Sequence, residues 1–348
     1  MQTETIAESK HTETPAEKKA ARITYLDVMK GIGILLVCLG HCIGDVAGAY
    51  HPINRFILSF HMPLFFFVSG LLFEKTAKKK FSGFLVRKIW TILLPLLVYV
   101  ACEVFVEVFI YVLWRQSKTF ADIDWLGKFT SWFIWTIFFM QLLLYGCNRL
   151  MERVFASCSV KRGKTYAKAG LLVVFTVGFL LCSYKGIPIF QQVLGAGIFG
   201  TFGWLIGGVV ENYAQKQKLH GIGCVLLPLT IVLSYYNKPI LMYINDYGNK
   251  YMFIFTAILG CLCALDISMF LREHTILRFF GQNSMIVFVT HFSVRVVLNL
   301  IIARIRFLQE AAPYVRYWCA FFALMLIETV IVLFINKFMP ELFGKRRS

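Results

Sequence analysis

The chain has 348 residues, is 58% hydrophobic and 16% aromatic, and has a mean hydropathy of +0.67. A soluble domain averages about 45–50% apolar residues, so the surplus must face lipid, and an ordinary soluble fold is excluded. The net charge of +17 would point to nucleic acid in a soluble protein. In an apolar chain it is met by basic loops on one side of a membrane, so no nucleic-acid partner is expected.

Residues 1–21 are polar and of mixed charge, with no apolar core followed by a small-residue cleavage site. They are expected to form a disordered cytosolic tail, not a cleaved signal peptide. Apolar stretches of the length that spans about 30 Å of hydrocarbon then recur along the chain. Irregular backbone cannot sit unsatisfied in lipid, so they read as helices. The pattern predicts ten, over 26–46, 54–73, 89–113, 129–147, 169–183, 188–210, 219–236, 250–266, 280–302 and 315–337. The expected fold is an all-α polytopic membrane bundle over 22–340, followed by a basic cytosolic tail, 341–348.

Loop charge tests this assignment. With ten spans, 23 of the 36 Lys and Arg fall on the side of the two tails, and 10 fall opposite. That asymmetry places both termini in the cytosol, and a multi-pass location in the plasma membrane is expected. The basic loop 74–88 reads as a surface element beside anionic membrane lipid. Most of the ten cysteines lie in apolar segments as small hydrophobes, and no metal-ligand spacing appears.

A charged side chain at mid-bilayer costs about 2.5–3.5 kcal/mol, so polar groups inside spans are functional candidates. Helix 1 is the richest. At about 100° per residue, His41 lies about 20° from Lys30, and Asp27 and Asp45 about 60° from it. The four share one stripe that must face protein or a water-filled cavity. Lys30 is near the cytosolic end, and His41 lies about 16 Å deeper. Alone, Lys30 could be a snorkelling residue and His41 a helix–helix hydrogen bond. Asp45, one turn beyond His41, could orient the imidazole. Gly31, Gly33 and Gly40 would let a neighbour pack closely.

Helix 2 carries His61 before Pro63, which can free a carbonyl nearby; His61 and His41 could meet across a cavity. Helix 3 carries Glu103 and Glu107 one turn apart. Like Glu328 in helix 10, they could pair with Lys30, Arg295 or another base. Trp132 and Trp135 open helix 4, as an aromatic belt or a pocket wall. The outer loop 245–249, ending in Asn249, has polar and aromatic groups suited to sugar. In helix 9, Ser284, His291 and Arg295 share a face. Ser284 and His291 are about 10 Å apart, too far for a nucleophile–base pair, which excludes a serine hydrolase there; a pocket-lining role is expected.

Two stretches, Tyr25-Leu-Asp-Val-Met-Lys-Gly-Ile-Gly-Ile-Leu-Leu-Val-Cys-Leu-Gly-His41 and Phe60-His-Met-Pro-Leu-Phe-Phe-Phe-Val-Ser-Gly70, resemble the membrane acyltransferase-3 family. That family includes bacterial glycan O-acetyltransferases, and the variant looks nearest the fucose 4-O-acetylase-like branch. Trp132-Phe133, Tyr247-Gly-Asn249, and Gly281-Gln-Asn-Ser-Met with His291 also fit. A basic residue, ten intervening residues and a histidine form the family's helix 1 signature; here these are Lys30 and His41. Relatives often carry a paired-arginine motif before the proline of helix 3. Here Arg87 and Lys88 are the basic residues, displaced toward the loop, and the membrane domain is expected to complete the transfer without an appended esterase-like domain.

The resemblance implies ten helices with cytosolic ends, acyl-CoA (acetyl-CoA) as co-substrate, no bound cofactor, and a glycan or lipid-linked sugar hydroxyl as acceptor. His41 is then expected to act as general base or to carry the acyl group itself. His61 would be a second proton carrier, and Lys30 would attract the CoA phosphates. A glycan or acyl-group exporter without catalysis is the competing expectation.

Overall fold

The computed structural model describes residues 23–114, 131–154, 161–182, 187–215 and 221–345. The expected N-terminal tail, 1–21, lies outside them. The helices are α1 (Thr24–Ala47), α2 (Pro52–Leu71), α3 (Phe73–Ala77), α4 (Phe81–Lys88), α5 (Leu94–Trp114), α6 (Trp132–Val154), α7 (Lys161–Leu181) and α8 (Pro188–Gln215). They continue with α9 (Ile222–Ser234), α10 (Lys250–Phe270), α11 (Thr275–Gln282), α12 (Ser284–Ile302), α13 (Arg306–Glu310) and α14 (Pro313–Phe338).

Among the described residues, nine helices are long and apolar enough to cross a membrane, and the protein is a multi-pass helical membrane bundle. The helix expected over 219–236 is the shorter α9, 13 residues long. At 1.5 Å per residue it rises about 20 Å, less than a full hydrocarbon thickness.

The third span, Phe81–Phe109, begins earlier than expected because α4 runs into a wide π-turn, Ile89–Leu93. Pro95 follows that turn and has no N–H to give the carbonyl one turn back. The basic loop is therefore mostly helical. Arg149 of α6 holds it in place, donating to the carbonyls of Ala77 (3.2 Å) and Lys79 (2.6 Å) and to Glu152 (2.6 Å).

The expected single helix 280–302 is broken at Asn283. Its Nδ2 donates to the Phe279 carbonyl at 2.7 Å and displaces the helical ladder there. Its Oδ1 accepts from Asn336 at 2.8 Å and from Lys345. The last turn, Pro340–Phe343, is a 3-10 helix. The expected basic tail is thus docked at least to Lys345.

Small residues seat α1. A Cβ added to Gly31 would overlap the Leu277 carbonyl, and one added to Gly281 would overlap the Asp27 carbonyl. The backbones of α1 and α11 therefore touch directly. A second such crossing joins α2 to α8 at Gly70 and Gly203. We expect Gly281→Ala to destabilise the bundle by about 2–3 kcal/mol, because backbone cannot step aside as a side chain can. Gly83→Ala is the control, since nothing lies within 4 Å of its added methyl. The monodisperse fraction left after heating in detergent reads the difference.

Candidate active site

Three helices, α1, α5 and α14, deliver polar side chains to α12. Along one turn and a half, α12 presents Thr290, His291, Ser293 and Arg295, all buried. Thr290 is 2.7 Å from Glu328 of α14. Ser293 donates to Glu103 of α5 at 2.6 Å. Arg295 donates to Asp45 of α1 at 2.7 Å. The Arg295 guanidinium also lies over the Phe292 ring, 4.5 Å from its centroid.

The stripe expected on α1 resolves into three environments. Asp27 and Lys30 pair with each other at 2.8 Å, i to i+3, near the end of the helix that packs on α11. At the far end Asp45 does not orient His41, as expected from its spacing. Its oxygens are taken by Arg295 and, at 2.6 Å, by Asn299. Between these two anchored ends His41 makes no hydrogen bond among the described residues. Its side chain is accessible although protein surrounds it closely, so it lines a cleft. The His291 ring lies 5.3 Å from it, tilted by 33°. The Phe292 ring meets it edge-on at 6.5 Å.

The other two histidines are locked. His61 Nδ1 is 2.8 Å from the Ile57 carbonyl. His291 Nδ1 is 3.0 Å and 2.9 Å from the carbonyls of Val287 and Phe288. A carbonyl only accepts, so in both rings Nδ1 carries the proton and Nε2 presents a lone pair. The carbonyl that Pro63 leaves free is Ser59's; His61 uses Ile57's instead. His61 is near enough to His41 to interact with it electrostatically, but it is the His291 ring that packs against His41.

The Asn249 side-chain oxygen caps α10, accepting from the N–H groups of Tyr251 and Met252. Tyr247 beside it is buried against Phe179 and Phe253, and burial pushes its phenol above the usual range. Asn237 binds the carbonyls of Tyr247 and Asn249 and the N–H of Asn249, so the loop 245–249 is a braced turn. Glu103 and Glu328 take hydroxyl partners on α12, Arg295 goes to Asp45 of α1, and Lys30 pairs within its own helix with Asp27.

Ser284 is half-buried at the start of α12, a turn and a half before the polar band. Trp132 is half-buried at the start of α6. Neither touches the His41–His291 pair in any ring contact or hydrogen bond among the described residues. Arg87 is exposed, and Lys88 is buried with its ammonium over the Phe84 ring, 5.2 Å from the centroid.

Thr290, Ser293 and Asn299 were not singled out from the sequence. Asn299 had a signal, because His291, Arg295 and Asn299 recur every fourth residue on one face of an apolar helix; the spacing does not mark Thr290 or Ser293. Among the described residues no group of three or more His, Cys, Asp or Glu side chains could hold a metal ion.

A search of the curated proteins and a search of the solved structures each returned no match. The family model of the acyltransferase-3 type, described as an acyltransferase domain, matches residues 23–335. That match covers the polar band, both locked histidines and His41 together, and the chain belongs to the acyltransferase-3 family of membrane acyltransferases.

Proposed function

We propose that the protein moves an acetyl or similar acyl group from acyl-CoA on the cytosolic side of the plasma membrane to a hydroxyl of a cell-envelope or exported glycan. The acceptor is the polymer or its lipid-linked precursor. One observation carries this reading: His41 stands unbonded in a cleft inside the membrane domain, beside an imidazole whose tautomer is locked. An imidazole titrates near neutral pH and can take the proton of an attacking hydroxyl.

In the direct route, the hydroxyl oxygen forms a bond to the thioester carbonyl carbon, the C–S bond breaks, and CoA leaves as thiolate. The hydroxyl proton passes to His41. Lys30 sits at the basic-loop end of α1, about 16 Å from His41 along the axis. Its ammonium has three donors and one is engaged by Asp27. The others suit a phosphate of CoA.

The deciding experiment supplies the purified protein in lipid with acetyl-CoA and sugar acceptors and separates free CoA by chromatography. Nine free cysteines among the described residues make thiol reagents unsuitable. Acceptor-dependent release of CoA is the expected result. A protein that only exports glycan leaves the thioester intact. Lys30→Ala is expected to raise KM for acetyl-CoA about tenfold with kcat less affected, the pattern of a lost binding contact; an unchanged KM removes Lys30 from donor binding.

A further inference from the structure

We infer that His291 is the proton acceptor behind His41, so that the reacting unit is a histidine pair from α1 and α12. This rests on the acyltransferase reading above and adds a second proton-carrying residue to it. Three observations carry it. The first is the lock: Val287 and Phe288 hold the Nδ1 proton of His291, and its Nε2 lone pair cannot be swapped away by tautomerisation.

The second is an imbalance. Thr290, Ser293 and Arg295 each have a partner on another helix. His291 Nε2 is buried and has none. A buried lone pair with no donor is costly, and such groups ask for an explanation. The third is access. His291 is 4% exposed and cannot itself meet a substrate, whereas His41 opens on the cleft with its ring against His291. A 5.3 Å centroid separation leaves about 3 Å between two ring nitrogens that face one another, which is hydrogen-bond distance.

The proposed transfer needs only that the unbonded His41 ring turn a nitrogen toward His291 Nε2. As the cleft-facing nitrogen of His41 takes the hydroxyl proton, its other nitrogen gives its own proton to His291 Nε2. His41 then gives the proton on its cleft-facing nitrogen to the CoA thiolate and His291 Nε2 returns the other to His41, so both rings end as they began.

The test separates this role from packing. His291→Asn keeps an N–H near the Nδ1 position, where it can still bond the Val287 carbonyl, but it has no base. Diethyl pyrocarbonate is the probe. A nitrogen of His41 bonds its carbonyl carbon, ethyl carbonate leaves, and the proton on the second His41 nitrogen must go to a base. Peptide mass spectrometry follows each histidine separately. In the wild-type protein His41, though enclosed, is expected to react faster than the exposed His274. In His291→Asn the His41 rate is expected to fall about tenfold or more, within the range of general-base assistance. With acetyl-CoA and acceptor, kcat of the same variant falls by a similar factor with donor KM unchanged.

A wild-type His41 that lags His274 overturns the inference, and this comparison needs no variant to fold. A correctly folded His291→Asn protein with an unaltered His41 rate overturns it too. If acyl-CoA is not the donor, turnover is absent from wild type and variant alike, while the pyrocarbonate rates still give their answer.

Discussion

Replacing His41 with alanine is expected to lower kcat for acyl transfer by about 10³-fold, inside the range that positioned acid–base groups contribute. KM for acyl-CoA is expected to change little, because Lys30 lies about 16 Å away along the helix. Stability should be nearly unaltered. His41 makes no hydrogen bond among the described residues and already borders open space, so truncation leaves no stranded partner and little new cavity. The combination is diagnostic. A packing residue would lower folded yield and rate together, whereas a reacting group lowers rate alone. Chromatographic CoA release and thermal unfolding, measured on the same preparation, read the two quantities. A His41→Ala protein with near wild-type turnover would remove His41 from the chemistry, whatever its neighbours do.

The spans were legible because lipid imposes a length and a polarity that leave a mark on every helix. Where a helix departs from the expected bounds, a local hydrogen bond is the cause. Asn283 takes the Phe279 carbonyl and splits α11 from α12, although Gly281-Gln-Asn-Ser contains no proline to announce it. The site was half legible. Helical arithmetic put Asp27, Lys30, His41 and Asp45 on one face correctly. It then treated that face as one environment. Along about 27 Å of axis the face meets different neighbours: the near end closes on itself as Asp27–Lys30, and the far end reaches Arg295 and Asn299. His61 was the expected companion of His41 because it is next in sequence. The companion in space is His291, 250 residues away on a helix that packs beside α1 and α14. No spacing within one helix encodes that choice.

The Arg295–Asp45 bond is where that long-range packing should be most costly to disturb. Arg295 is buried to 11% side-chain exposure and Asp45 to 29%. Removing one partner of a fully buried pair costs about 3–5 kcal/mol, because the other charge is stranded. Asp45 is partly open, so Arg295→Ala is expected to cost about 2–3 kcal/mol, with the stack on Phe292 lost as well. Asp45→Asn should cost less, about 1 kcal/mol, since a neutral amide still hydrogen-bonds Arg295 and Asn299. The double variant should be more stable than the sum of the two losses, with a coupling of about 1–2 kcal/mol. Unfolding of the four proteins in one lipid system measures it, and strictly additive losses would mean that the pair does not act as a unit. Activity supplies a second reading. Asp45 is one turn from His41, so loosening the Asp45 end of α1 misplaces the imidazole against His291 and lowers kcat. The Asp27–Lys30 pair, at the opposite end, is untouched, and KM for acyl-CoA should hold. A clamp at one end of α1 and a binding contact at the other would then be separable in a single kinetic comparison, which a uniformly destabilised helix would not allow.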